Sequence, residues 1–144
     1  MKTICHSASV DETLALAMRF AKNLRSGDVV AYRGDLGAGK TAFTRGLAAG
    51  LGCEGEVCSP TFALVHEYPG KITLYHFDMY RIMDTEDLYA TGYDDYLESG
   101  GILAIEWSEN IEDALPEHTI FVTITADGPE SRTIEFDSER ELTL

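Results

Sequence analysis

Residues 34–41 form a glycine-rich stretch of the kind that can hold a polyphosphate. The run Gly-Asp-Leu-Gly-Ala-Gly-Lys-Thr matches the pattern G-x-x-x-x-G-K-[S/T] at every position. Its glycines let the backbone turn tightly, so that successive N–H groups face one anion. Lys40 adds a cation for the β- and γ-phosphates, and the Thr41 hydroxyl can ligate Mg²⁺. The residues expected to contact a nucleotide here are Gly37, Ala38, Gly39, Lys40, Thr41 and Ala42.

Carboxylates end two of the predicted strands. Glu106 closes the apolar run 102–105, a pattern typical of a strand buried on both faces. A carboxylate at such a position can bind Mg²⁺ directly or orient the attacking water. Asp78 follows the strand-like run 71–77 and competes for this role, acting on the ion through water or positioning the water. The alternatives are a solvent-facing carboxylate for Glu106 and a structural hydrogen bond for Asp78.

Thr61 lies in the proline-led loop 59–61, after the helix that the glycine-rich loop predicts. This is the chain position of a first switch segment, whose hydroxyl can sense Mg²⁺ or the terminal phosphate. A turn or capping hydroxyl is the alternative. The predicted catalytic residues are Lys40, Asp78, Glu106 and Thr61, and the predicted metal ligands are Thr41 and Glu106.

The elements that must position these residues alternate between helices and strands. Apolar residues recur at helical spacing after the capping-box pair Ser9 and Glu12. The predicted elements are a helix over 9–24, a strand over 29–32, a helix over 40–51, hairpin strands over 62–68 and 71–77, an acidic, mostly helical or irregular segment over 84–99, a strand over 102–106, a helical turn over 110–115, and strands over 119–125 and 132–136. This order predicts one domain over residues 1–144, an α/β three-layer sandwich of the P-loop NTPase kind. Its central sheet is expected to be mixed, mostly parallel, and to include the hairpin.

Composition limits the class of protein further. The chain has 144 residues, of which 44% are hydrophobic and 25% charged, as expected for one globular domain. Its formal net charge of −14 disfavours direct binding to a nucleic-acid backbone, so a role near RNA is expected to pass through a partner or one small basic spot. The sequence has no apolar run long enough for a membrane helix and no signal-peptide core. Three cysteines without a C-x-x-C pair favour reduced thiols, and the chain is therefore expected in the cytoplasm and off the membrane.

Several classes of nucleotide-binding protein lack support in the sequence. The N-K-x-D and D-x-x-G motifs of guanine-specific switch proteins are absent, as is the L-S-G-G-Q signature of transporter ATPases. Only three arginines follow the glycine-rich loop and its helix, which disfavours a small-molecule kinase with an arginine-bearing lid. The class that remains is a small protein that uses an adenine nucleotide and has its own partners.

Four motifs together resemble the bacterial TsaE (YjeE) family, over about residues 11–107. The motifs are the glycine-rich loop, Ser59-Pro60-Thr61-Phe62 followed by Leu64-Val65, His76-Phe77-Asp78-Met79-Tyr80-Arg81, and Ile105-Glu106-Trp107. The resemblance implies a P-loop α/β fold, Mg²⁺-dependent binding of ATP and its slow hydrolysis. It also implies work beside the proteins TsaD and TsaB, which transfer a threonylcarbamoyl group to an adenosine next to the tRNA anticodon. On this basis the protein supports turnover of their complex and meets tRNA only through it.

The resemblance also extends the candidate site. It places the N-terminal region beside the nucleotide base, so Thr13 is a candidate adenine contact, with helix capping as the alternative. Arg132 is a candidate for the base or ribose side. Glu106 stands where Asp is usual in P-loop proteins, but it agrees with the TsaE pattern. Two rival functions stay open: a P-loop kinase for a small molecule, and a scaffold that binds nucleotide without needing hydrolysis.

Overall fold

The structure, a computed structural model, describes residues 1–34, 39–54 and 64–144. Its strands are β1 (Lys2–Ser7), β2 (Val29–Gly34), β3 (Val65–Tyr68), β4 (Leu74–Asp78), β5 (Ile102–Glu106), β6 (Ile120–Ala126) and β7 (Arg132–Asp137). Its helices are α1 (Val10–Ala21), α2 (Lys40–Gly50), α3 (Thr85–Ala90) and α4 (Tyr93–Glu98), and a 3-10 helical segment covers Ser108–Ala114.

These strands form one sheet with the order β1-β7-β6-β2-β5-β4-β3. The four inner strands, β6, β2, β5 and β4, are parallel to one another. Antiparallel pairs complete both sides of the sheet, with β3–β4 forming the predicted hairpin. The predicted mixed and mostly parallel sheet is therefore confirmed. Because β2, β4 and β5 run in the same direction, their last residues open on one edge of the sheet, which we call the carboxyl edge.

Helices cover both faces of the sheet and give the three layers that the sequence predicts. On one face α1 and α2 pack around an aromatic cluster in which Phe20 contacts Phe43 and Phe136, with ring centroids 5.8 and 4.9 Å apart. On the other face α3, α4 and the 3-10 segment cover residues such as Phe77 and Ile105. Strands β2 and β5 are buried on both faces, which explains their continuous apolar runs.

Ser9 and Glu12 open α1 as predicted, in a variant of the capping box. The Ser9 hydroxyl accepts a hydrogen bond from the Glu12 amide at 3.2 Å, and the Glu12 carboxylate accepts one from the amide of Ala8, the residue before the N-cap. The first contact satisfies an amide that the helix start leaves without a helical partner, and the second holds the chain that leads into the helix.

Strand β1 differs from the predicted elements, because it has no predicted counterpart. Its inward side chains are small or polar, such as Cys5 and Ser7, while Ile4 is 57% exposed. Its hydrogen bonds to β7, and not an apolar pattern, make it a strand.

The acidic segment 84–99 is mostly helical, as predicted. It contains two short helices, separated where Gly92 adopts φ +78°. None of the helices in the described parts of the chain has the length and apolar character needed to cross a bilayer.

Candidate nucleotide-binding site

The glycine-rich sequence lies between the end of β2 and the start of α2, as the motif requires. Strand β2 ends at Gly34, and Lys40, Thr41 and Ala42 open α2 as half-buried residues. Gly39 is the N-cap residue and adopts φ +103°. The predicted contacts of Gly37 and Ala38 lie outside the described residues, as does the predicted role of Thr61.

Gly34 closes β2 in a position that no other residue fits. Its φ is +118°, and a Cβ atom added there would lie 2.0 Å from the carbonyl oxygen of Ile124 on β6. Both the backbone conformation and the neighbouring strand therefore require glycine. Gly34, the first glycine of the motif, therefore allows β2 to end in close contact with the backbone of β6.

Gly34→Ala is expected to lower the free energy of unfolding by about 3 kcal/mol, because it adds a backbone overlap to an unfavourable φ. Gly27→Ala is the matched control: its φ is +89°, but no described atom lies within 4 Å of the added Cβ. That control should lose only about 1 kcal/mol. Urea unfolding of both variants tests this, and equal losses would contradict the steric explanation.

The start of α2 differs electrostatically from those of α1 and α3. The side chains of Ser9 and Asp84 cap α1 and α3, and acidic residues occupy their first turns. Helix α2 has a glycine at the N-cap and no acidic residue in its first turn. The first turn of α2 therefore offers no carboxylate of its own to the positive end of the helix dipole, as expected where the helix receives an anion.

Two carboxylates stand side by side at the carboxyl edge. Asp78 ends β4, Glu106 ends β5, and the two residues are paired in the parallel register. The Asp78 carboxylate accepts a hydrogen bond from the Tyr80 amide at 2.9 Å, so the structural contact considered for it is present. Whether Asp78 also acts on an ion or a water stays a prediction. The structure does bring the two predicted carboxylates to one edge, next to the end of β2.

His76, which was not among the predicted site residues, contacts Glu106. Its Nε2 atom lies 2.8 Å from Oε2 of Glu106. The His76 side chain is 0% exposed and that of Glu106 is 15% exposed. Sequence patterns suggest a histidine inside a strand and nothing more. The contact becomes visible only when β4 and β5 are known to be neighbours.

A buried chain of hydroxyl groups connects β2 to the first turn of α2. The Thr44 hydroxyl donates to the Lys40 carbonyl at 2.8 Å, and the Tyr32 hydroxyl lies 2.7 Å from the Thr44 oxygen. Burial raises the pKa of Tyr32 well above its usual value, and the charge of Glu106 raises it further. The phenol therefore stays protonated and can donate to Thr44. This chain fixes the start of α2 against the strand beneath it.

Arg132 and Thr13 lie on the β1–β7 side of the site. The Arg132 Nε lies 3.4 Å from the position that a Cβ atom would occupy on Gly39, so the side chain reaches the end of the glycine-rich loop. Its guanidinium donates to the carbonyls of Gly128 and Ser131 at 3.0 and 2.8 Å. Ser7 is the register partner of Arg132 in the sheet. The hydroxyl of Thr13, the other candidate nucleotide contact, lies 2.7 Å from the Ser7 hydroxyl.

Thr13 is 2% exposed. Its hydroxyl donates to Ser7, since the Ser7 hydroxyl already donates to the Ser9 carbonyl at 2.7 Å. The Thr13 amide also donates to that carbonyl at 3.1 Å. A contact between the Thr13 side chain and an adenine base stays a prediction. While the hydroxyl donates to Ser7, its oxygen can only accept a hydrogen bond from the base.

Trp107 follows Glu106 directly and has an uncommon backbone conformation. Its φ of +60° makes it the one non-glycine residue in the described chain with positive φ. The ring is half-buried, and its centroid lies 4.9 Å from that of Tyr80. The residues just after both strand-end carboxylates thus contact each other beside the site.

Comparison with known proteins places these features in a family. The model of the family described as "Threonylcarbamoyl adenosine biosynthesis protein TsaE" matches residues 7–134. The chain is 39% identical over 132 residues to the tRNA threonylcarbamoyladenosine biosynthesis protein TsaE of Treponema pallidum, covering 90% of this chain and 98% of the relative. It is 44% identical over 128 residues to the protein of the same name from Bacillus subtilis, covering 88% and 79% of the two chains.

The fold agrees with that of a solved relative. The crystal structure of YdiB from Bacillus subtilis superposes with a TM-score of 0.81 at 35% sequence identity, covering 96% of this chain and 86% of the other. The family resemblance stated from the sequence motifs is therefore confirmed by full-length similarity. The chain belongs to the TsaE family of threonylcarbamoyl adenosine biosynthesis proteins.

Proposed function

We propose that the protein is a Mg²⁺-dependent ATPase whose nucleotide cycle serves the modification of tRNA with threonylcarbamoyladenosine. The TsaE family has a role in this biosynthesis. The main support for the ATPase proposal is the set of residues that the fold brings together at the carboxyl edge. There Gly39, Lys40 and Thr41 open a helix whose first turn has no acidic residue, and the paired carboxylates of Asp78 and Glu106 end the neighbouring strands β4 and β5.

Phosphate binding is assigned to the start of α2. Lys40 brings a cation to the terminal phosphates, and the amides of the first turn together with the helix dipole attract the same charge. The chain from Tyr32 through Thr44 to the Lys40 carbonyl holds this turn in place before the nucleotide arrives. The binding groups are therefore preorganised, which reduces the cost of ordering them around the ligand.

The donors at the edge also fit Mg²⁺. In phosphate sites this ion is usually held by one or two carboxylates, water and the substrate's own oxygens. The described residues contain no cluster of three or more His, Cys, Asp or Glu that could hold an ion alone, in agreement with a site shared with the substrate. Thr41 and Glu106 would hold the ion, which when bound offsets the negative charge of the phosphates.

Hydrolysis is assigned to the carboxylates. A carboxylate near the terminal phosphate can accept a hydrogen bond from water and orient it for attack. Glu106 is the stronger candidate, since it ends β5, the direct neighbour of the strand that leads into the glycine-rich loop, whereas Asp78 ends β4, one strand farther away. Arg132, whose Nε approaches Gly39, is assigned to the ribose or base side of the nucleotide. Asp78 is assigned to the placement of water.

The proposed partners are TsaD and TsaB, with tRNA reached only through their complex. A formal net charge of −14 supports indirect contact with tRNA, because phosphate backbones are bound by cationic side chains. The role of the cycle in this proposal is to support turnover of the threonylcarbamoyl-transfer complex. A cytoplasmic location is part of the same proposal.

The direct test is ATP hydrolysis with Mg²⁺, measured for the protein alone and after addition of the TsaD–TsaB pair. We expect slow hydrolysis alone and a marked increase with the pair. Absence of hydrolysis under both conditions, with ATP binding intact, would replace the ATPase by a scaffold that acts through binding alone. Transfer of the phosphate to an added small molecule would instead identify a kinase.

The fluorescence of Trp107 is expected to change when ATP and Mg²⁺ bind. Trp107 is the only tryptophan of the chain, and it follows Glu106 while contacting Tyr80. Any shift at the end of β5 therefore alters its surroundings. Titration with ATP should give a saturable change in emission that Lys40→Ala removes. Unchanged emission at an ATP concentration that saturates the protein in calorimetry would contradict this coupling.

A further inference from the structure

We propose that His76 is a positioning residue that holds the Glu106 carboxylate in the orientation needed for hydrolysis. The inference rests on the proposed ATPase function and assigns one more residue to the same site. It is drawn from a contact between two neighbouring strands, which joins residues 30 positions apart in the chain.

The direction of the hydrogen bond follows from the chemistry of its atoms. A carboxylate oxygen only accepts, so the proton lies on Nε2 of His76 and points to Oε2 of Glu106. The other ring nitrogen, Nδ1, is buried and has no hydrogen-bond partner among the described residues. Nε2 is therefore the ring atom through which His76 makes its described polar contact, and it donates to Glu106.

The surroundings of the ring show that this contact accounts for a polar side chain in a fully buried place. On the same face of the sheet, Leu74 of β4 and Ala104, the register partner on β5, are 0% exposed, as is His76 itself. Its register partner on β3 is the half-buried His66. An apolar side chain would fill such a position without the cost of burying ring nitrogens. The described polar partner of the ring is the carboxylate assigned to water and Mg²⁺.

The hydrogen bond that fixes one carboxylate oxygen of Glu106 also determines which oxygen faces the nucleotide. A glutamate at a strand end can rotate about three side-chain bonds, and each orientation presents its oxygens differently. The bond from His76 fixes Oε2 toward β4 and leaves Oε1 as the oxygen for the nucleotide side. Partners of this kind, which act through the residue that touches the ion or substrate, typically change activity by about 10–100-fold when removed.

The test compares three substitutions at residue 76. His76→Gln places an amide donor near the position of Nε2, His76→Asn is polar but too short to reach Glu106, and His76→Leu removes the donor. We expect Asn and Leu to lower kcat for ATP hydrolysis by about 10–100-fold, while KM for ATP changes by less than about twofold. Gln should recover most of the native kcat. Urea unfolding of each variant shows that it is folded, and the Gln–Asn pair decides the question if the leucine variant does not fold.

A second set of variants separates positioning from a general structural effect. Once Glu106→Gln has removed the carboxylate, adding His76→Asn should cause no further loss of kcat, because both changes affect the same function. Equal further loss in that background, or native kcat in folded His76→Asn and His76→Leu, would overturn the inference. If the native chain does not hydrolyse ATP, the proposed function itself fails, and this inference fails with it. If Glu106→Gln hydrolyses ATP at the native rate, the role of Glu106 and this inference fail, while the ATPase proposal stands with Asp78 in that role.

Discussion

Replacing Lys40 by alanine is expected to lower ATP hydrolysis by at least about 100-fold, the usual effect of removing one group that stabilises charge at a reacting centre. ATP binding should weaken as well, because the lysine meets the phosphates in the ground state as well as in the transition state. The expectation follows from the position of Lys40 as the first residue of α2, directly after Gly39. The first turn of α2 carries no acidic residue that could pair with Lys40 in place of the phosphates.

Lys71→Ala is the matched control for this prediction. It removes the same charge from an exposed residue that precedes β4, at the end of the parallel strands opposite to the carboxyl edge. Binding by calorimetry and hydrolysis by phosphate release should both remain native for this variant. Equal effects of the two substitutions would mean that net charge, and not the phosphate loop, determines ATP binding.

Glu106→Gln should separate binding from hydrolysis. We expect ATP to bind within about threefold of the native affinity, while kcat falls by about 100-fold or more, as for loss of a group that handles protons in the transition state. Glutamine keeps the size of the side chain and an oxygen that can accept the hydrogen bond from His76. The variant therefore removes the negative charge with little change in packing.

Glu109→Gln serves as the control for Glu106→Gln. Glu109 is exposed and lies in the 3-10 segment just beyond β5, so its loss changes the net charge equally without altering the carboxyl edge. Native hydrolysis by Glu106→Gln would contradict its assignment and shift the role to Asp78. Loss of ATP binding by the same variant would mean that Glu106 mainly holds the Mg²⁺ required for binding.

Much of the fold was predictable because its central elements carry strong local signals. Strands β2 and β5 are apolar runs that end at Gly34 and Glu106, and the glycine-rich loop predicts the helix α2 that follows it. Strand β1 was not predictable, since only its hydrogen bonds to β7 make Lys2–Ser7 a strand. The order of the strands also depends on contacts between distant residues, and the sequence pattern predicted only that the sheet is mixed, mostly parallel and includes a hairpin.

The same distinction applies to the site. Lys40 and Thr41 belong to one continuous motif, and Glu106 ends a recognisable strand. Local sequence patterns were therefore sufficient to identify these residues as candidates. His76 was missed because its contact with Glu106 depends on the neighbouring positions of β4 and β5. Arg132 was expected from the family resemblance, and its approach to Gly39 depends on the antiparallel return of β7. The burial of Thr13 likewise follows from packing between α1 and β1.

The most direct test of the central claim, that the carboxyl edge binds ATP, is a calorimetric titration of ATP with Mg²⁺ into the native protein and into Lys40→Ala. The account predicts saturable binding of one ATP per chain by the native protein and strong weakening by the substitution. It also predicts that Lys71→Ala binds as the native protein does. No detectable binding to the native protein, or equal binding by the native protein and Lys40→Ala, would contradict it.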